Sequence, residues 1–191
     1  MTTRTIRSNQ TDNSPLNGNM YSRIFLIGFM GSGKSTHGSK LARKTGFDFV
    51  DMDLLIEETA GMTVARIFEE HGESVFRKWE HDILLELCNR EKVVISTGGG
   101  APCHSDLMQI MGDHGATVYI KLSPIALKDR LLHSKTERPL IKGKSETELL
   151  EFITSLLTER EKIYNQARYI VDGVNFQMDE LLGLLGDPGI R

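Results

Sequence analysis

One stretch constrains everything around it: Gly28-Phe29-Met30-Gly31-Ser32-Gly33-Lys34-Ser35, followed by Thr36. It satisfies G-x-x-x-x-G-K-[ST] at every fixed position. Upstream, Arg23-Ile24-Phe25-Leu26-Ile27 is an apolar run of buried-strand length, and downstream a helical segment through Leu41 and Ala42 ends near Gly46. Strand, glycine loop and helix together curl backbone N–H groups round an anion without Cβ clashes and add the positive end of a helix dipole. Gly31, Ser32, Gly33, Lys34, Ser35 and Thr36 are therefore read as a triphosphate site. Lys34 would reach the β- and γ-phosphates, and the Ser35 hydroxyl would ligate Mg²⁺.

The rest of the chain is bounded by simple numbers. A length of 191 residues suits one domain, and no interior linker is visible. With 23 basic and 26 acidic residues the net charge is −3, which gives no global field towards nucleic acid or an anionic membrane. No apolar run reaches membrane-span length. Cys88 and Cys103 match neither CxxC nor a zinc spacing and read as thiols of a reducing compartment; without a secretory signal, the cytoplasm is expected. Residues 1–20 are rich in Thr, Asn and Ser and lack apolar periodicity, so they are expected to be a disordered leader to a single domain spanning 21–191.

After the first helix, Phe47 to Asp51 reads as a second strand that ends in acid. Asp51 and Asp53 stand two positions apart, so both carboxylates would project to one side off the strand's carboxyl end, where ligands of α/β domains sit. Asp51 is assigned to Mg²⁺ and Asp53 to an acceptor hydroxyl, although acids there also cap helices. Two helical pieces follow, Thr63–Phe68 and Glu73–Asn89. In the second, Arg77 has Glu73 at i−4 and Glu80 at i+3, which by spacing alone is a solvated salt-bridge stripe.

A third strand, Lys92–Ser96, runs into Thr97-Gly98-Gly99-Gly100, where consecutive glycines imply a backbone that approaches something closely. A helix over Ser105–Met111, a fourth strand over Thr117–Leu122 and a helix over Ile125–Leu132 carrying Arg130 come next. Residues 133–145 have the composition of a mobile lid and contain Arg138. A long helix from Glu146 to about Ala167 carries Arg160, and a fifth strand, Tyr169–Val171, precedes a closing helix over Met178–Leu185.

GFMGSGKST, DMD, FRKWE, TGGGA, RPL and TEREKIY occur in this order from Arg23 to about Leu185, and in that order the chain resembles the shikimate kinases. The resemblance implies a three-layer α/β P-loop kinase fold with a five-stranded parallel sheet of order 2-3-1-4-5, helices on both faces and a mobile lid. It implies transfer of the ATP γ-phosphoryl group to the 3-hydroxyl of shikimate, a step in chorismate and aromatic amino acid biosynthesis. It places Arg77 and Arg160 on the acceptor carboxylate, reversing the salt-bridge reading of Arg77, with Glu80 orienting that arginine. Asp53 falls on the reacting hydroxyl, Gly98, Gly99 and Gly100 along the acceptor pocket, Arg130 against the nucleobase and Arg138 over the phosphates. The expected partners are shikimate and ATP with Mg²⁺, in a monomer, and neither nucleic acid nor membrane.

One departure stands out. The family commonly brings an arginine and a proline against adenine from the loop after the last strand; here that loop is Asp172-Gly173-Val174-Asn175-Phe176-Gln177. Rival readings are another small-metabolite kinase, such as a gluconate-type enzyme, or an inactive homologue.

Overall fold

The computed structural model describes residues 6–9, 21–134, 139–141 and 143–186. Its frame is a sheet built on β2 (Arg23–Ile27), β3 (Asp48–Asp51), β4 (Val93–Ser96), β5 (Ala116–Lys121) and β6 (Tyr169–Asp172). These five are mutually parallel, and in chain order they lie 2-3-1-4-5, as expected. Burial on both sides makes β2, β4 and β5 near-continuous apolar runs, whereas β3, at the margin, begins and ends in Asp48 and Asp51 and β6 alternates buried with half-buried residues.

Among the described residues the sheet has six strands, not the five expected. β1 (Ile6–Ser8) lies antiparallel against β6, pairing Ile6 with Val171 and Ser8 with Tyr169. Asn9 continues the junction: its backbone N–H donates to Arg168 O at 2.8 Å and its side-chain amide to Asn165 O and Ala167 O. Three residues cannot display a period, and their partner lies more than 150 residues away, so local pattern has no access to the pairing. Residues 6–9 of the expected leader thus carry a strand; the remainder of 1–20 lies outside the described residues.

Alternation along the strands divides the core in two. Phe25, Ile27, Ile95 and Tyr119 face one layer, made by α2 (Met52–Ala60), α3 (Val64–Leu87), α4 (Leu107–His114), α5 (Pro124–Leu132) and α6 (Glu146–Tyr164). Ile24, Leu26, Val94, Val118 and Ile120 face the other, made by α1 (Lys34–Thr45) and α7 (Met178–Leu185). Full burial of each such side chain contributes roughly 1.5–3 kcal/mol.

Helix boundaries follow local chemistry. Ser145 and Glu148 form a reciprocal capping box on α6, and Ser123 caps α5 ahead of Pro124. The two helical pieces expected at Thr63–Phe68 and Glu73–Asn89 meet end to end in α3, broken at Gly72 (φ 81°, ψ 170°). The expected helix from Ser105 instead starts at Leu107, because Ser105 takes φ 50° and leaves Asp106 as the cap residue.

Gly115, between α4 and β5, is tightly enclosed: a Cβ there would stand 2.4 Å from Arg23 O. That carbonyl belongs to the central strand and cannot move aside. Gly115→Ala is therefore expected to destabilise the chain by about 1–3 kcal/mol, read as a lowered urea midpoint at unchanged m-value.

Candidate active site

The carboxyl ends of β2, β3 and β4 open on one edge of the sheet, where parallel α/β sheets hold ligands. From β2 the chain enters Gly28 (φ 143°), then Gly31 (φ 80°) and Gly33 (φ 97°), backbone conformations that side chains rarely tolerate. α1 starts immediately after Gly33. Lys34 is buried and folds back over the loop, donating to Gly28 O at 2.9 Å and Phe29 O at 3.2 Å. The buried Ser32 hydroxyl has no hydrogen-bond partner among the described residues.

An oxygen-rich corner adjoins the loop. The Ser35 hydroxyl donates to Asp51 Oδ2 at 2.5 Å and lies 3.4 Å from Ser96 Oγ. The other Asp51 oxygen accepts from the Asp53 backbone N–H at 3.2 Å. Asp51 is therefore the residue that caps α2, which leaves the Asp53 side chain to another role. Ser96 ends β4; Thr97 beside it ties that strand end to Leu26 O through both N–H and hydroxyl.

The glycine loop forms the next wall. A Cβ at Gly98 would lie 2.6 Å from Glu80 Oε1 and 2.8 Å from Asp53 Oδ1, and one at Gly100 would lie 3.0 Å from both Nη atoms of Arg77. Only bare backbone fits among two carboxylates and a guanidinium. Arg77 donates through Nη1 to Glu80 Oε2 at 2.7 Å, and through Nε and Nη2 to Glu73 Oε1 at 3.1 and 2.9 Å. The salt-bridge stripe read from spacing is thus real, but half of it is not solvated: Glu80 is 1% exposed. Burial and the nearby Asp53 charge raise the Glu80 pKa, while Arg77 holds it down.

Arg160 donates to Gly99 O at 3.2 Å and lies over the Phe29 ring. The Tyr164 hydroxyl, one helical turn further along α6, donates to the same oxygen. Burial pushes the Tyr164 pKa up, so it stays a donor. Tyr164 and Ser96 were not singled out as site residues; the i+4 spacing of Tyr164 from Arg160 was the available signal.

On the opposite side Arg130 donates to Ser32 O at 2.9 Å and Gly173 O at 2.8 Å, bridging the phosphate loop and the loop after β6. In that loop Phe176 stacks on His37 of α1, with ring centroids 4.0 Å apart.

One cleft of about 370 Å³ runs from Gly33 and Arg130 past Lys34 and Ser35 to Asp53 and Gly99. The expected positions meet around it or on its glycine wall except Ser32, whose side chain is buried within the phosphate loop, and Arg138, which lies outside the described residues. A second cavity, about 410 Å³ at the amino ends of β5 and β6, is lined by Asn9, Met108 and Arg168 and contains none of them. Among the described residues no helix is long and apolar enough to cross a membrane, and no cluster of three His, Cys, Asp or Glu side chains could hold a metal.

The family model described as shikimate kinase matches residues 30–182. A shikimate kinase of Bacteroides thetaiotaomicron is 46% identical over 159 residues, covering 83% of this chain and 88% of the relative. The crystal structure of a shikimate kinase from that organism superposes with a TM-score of 0.82 at 42% identity, over 86% of this chain and 98% of the other. The Acinetobacter baumannii shikimate kinase in complex with shikimate gives 0.76 at 30% identity, over 89% and 96%.

Proposed function

The chain belongs to the shikimate kinase family and catalyses ATP-dependent phosphorylation of shikimate, and from that premise we propose how its cleft divides the work. Gly31 to Thr36 cradle the triphosphate, and Arg77 and Arg160 take the acceptor's carboxylate beside Gly98 to Gly100. Asp53 orients the 3-hydroxyl and accepts its proton. The observation that carries this reading is the single cleft joining the phosphate loop to Asp53 and Gly99.

The Ser35–Asp51 corner offers hydroxyl and carboxylate oxygens only, the donor set a hard divalent cation takes when phosphates and water complete its shell. Ser35 and Asp51 would hold Mg²⁺, whose charge would offset that of the phosphates. Phosphoryl transfer needs little else than alignment and charge neutralisation. Lys34 exchanges its two loop carbonyls for phosphate oxygens, and Arg138 from the lid adds the second cation. Arg130, anchored by one N–H to Ser32 O and one to Gly173 O, offers adenine a guanidinium face; the Phe176–His37 stack supplies the wall that an arginine and a proline otherwise provide. The reading places this work in one domain, residues 21–191, acting as a cytoplasmic monomer.

The test is ADP release with Mg·ATP in the presence of shikimate, quinate, gluconate or no acceptor. Turnover that requires shikimate, in the range of about 1–100 s⁻¹, is expected. Turnover with gluconate alone would reassign the acceptor wall, and none with any acceptor would make the chain an inactive homologue.

A further inference from the structure

Arg77 can present two edges to a planar carboxylate, Nε–Nη2 and Nη1–Nη2. The second is closed from both sides. Nη1 is held at 2.7 Å by Glu80, which is 1% exposed, and the Gly100 turn comes so near that a Cβ there would stand 3.0 Å from both Nη atoms. The first is filled by Glu73 Oε1, at 3.1 Å from Nε and 2.9 Å from Nη2.

The two glutamates differ in freedom. The Glu73 side chain is 59% exposed and directly follows Gly72, where the helix is already broken at φ 81°. It can swing into water at little cost, whereas Glu80 has no such exit. A ligand carboxylate that pairs bidentately with Arg77 must therefore take the edge that Glu73 holds. The surroundings agree: Glu73 also feels the charge of Arg160, and His104 Nε2 stands 4.0 Å from its Oε1. One exposed carboxylate sits in the basic corner that the acceptor's carboxylate needs.

We propose that Glu73 is a built-in rival of the acceptor carboxylate, holding the Nε–Nη2 edge of Arg77 until a ligand carboxylate displaces it, and so sets how tightly a carboxylate acceptor binds. The inference rests on the assignment of Arg77 to the acceptor carboxylate. A polyol without a carboxylate cannot make the exchange and leaves Glu73 in place. An acceptor that carries one trades carboxylate for carboxylate, so its affinity reflects the difference between two ion pairs.

Calorimetry with shikimate tests this on the intact chain. Glu73→Gln should tighten shikimate binding about two- to five-fold, the range of a partly exposed ion pair, and leave the dissociation constant of ATP in place. Glu73→Asp keeps the charge but falls one methylene short of the edge; it should tighten binding too, which separates release of the edge from a change in local field. Shikimate methyl ester, with no carboxylate to exchange, should bind both variants as it binds the parent chain. Unchanged or weaker shikimate binding by both variants overturns the proposal and makes Glu73 a positioning residue for Arg77. Tightening by Glu73→Gln alone also overturns it, in favour of a field effect. Failure of the parent chain to bind shikimate would remove the assignment of Arg77 first, and this inference with it.

Discussion

Arg77→Ala is expected to abolish acceptor binding and to destabilise the chain together. The binding loss comes from two charge-assisted hydrogen bonds to the acceptor carboxylate, each worth about 1.5–3 kcal/mol, less the exposed Glu73 pair of up to about 1 kcal/mol that the acceptor displaces, so affinity should fall by at least about thirtyfold. The stability loss comes from Glu80. Its carboxylate is buried, Arg77 is its ion-pair partner, and its Oε1 already has no hydrogen-bond partner among the described residues. Removing one member of such a pair costs about 3–5 kcal/mol.

The sign with pH is fixed by the same geometry. Burial raises the Glu80 pKa above its unfolded value and Arg77 opposes that rise. Without Arg77 the folded-state pKa moves higher still. Stability from this group is then present below the unfolded pKa and lost as pH rises through the raised one. The stability gap between Arg77→Ala and the parent chain should accordingly be wide at pH 7 and narrow towards pH 5. Adding Glu80→Gln should restore much of the stability without restoring acceptor binding. Urea midpoints at the two pH values and shikimate calorimetry measure both halves, and a gap independent of pH would remove Glu80 from the account.

Asp53→Asn is expected to cut turnover by about 10²–10⁴-fold, the size of a general-base contribution, with acceptor affinity changed far less. The helix should survive, because the α2 cap is Asp51 accepting from the residue 53 backbone N–H, a bond that asparagine keeps. Asp51→Asn provides the contrast: it disturbs the Ser35 corner and the cap together. Steady-state kinetics with an unchanged thermal midpoint would support the assignment. Near-normal turnover in Asp53→Asn would mean that the carboxylate merely lines the cleft.

Much of this was legible because it is local. The phosphate loop needs particular glycines next to Lys34 and Ser35, and the central parallel strands β2, β4 and β5 are runs of apolar residues. What escaped depends on who comes to meet whom. Ile6 to Ser8 acquire their strand from Val171 and Tyr169. Glu80 looks like a surface charge until the Gly98 loop closes over it, and Tyr164 matters because Gly99 turns its carbonyl towards α6. Spacing gave the right partners for Arg77 and the wrong environment for one of them, since helical periodicity states which residues are neighbours and not what lies above them.

The short strand at the chain's beginning has a consequence beyond architecture. An uncovered β6 would offer its outer N–H and C=O groups to any extended chain, an invitation to sheet-to-sheet polymerisation. Ile6 to Ser8 move that edge outward to a strand only three residues long that carries the exposed Arg7, so the new margin is blunted by its shortness and its charge. At the far margin β3 is only four residues long and carries Asp48 and Asp51 at its ends, which discourages docking by brevity and charge. Between them the two margins keep an otherwise sticky parallel sheet from propagating into its neighbours.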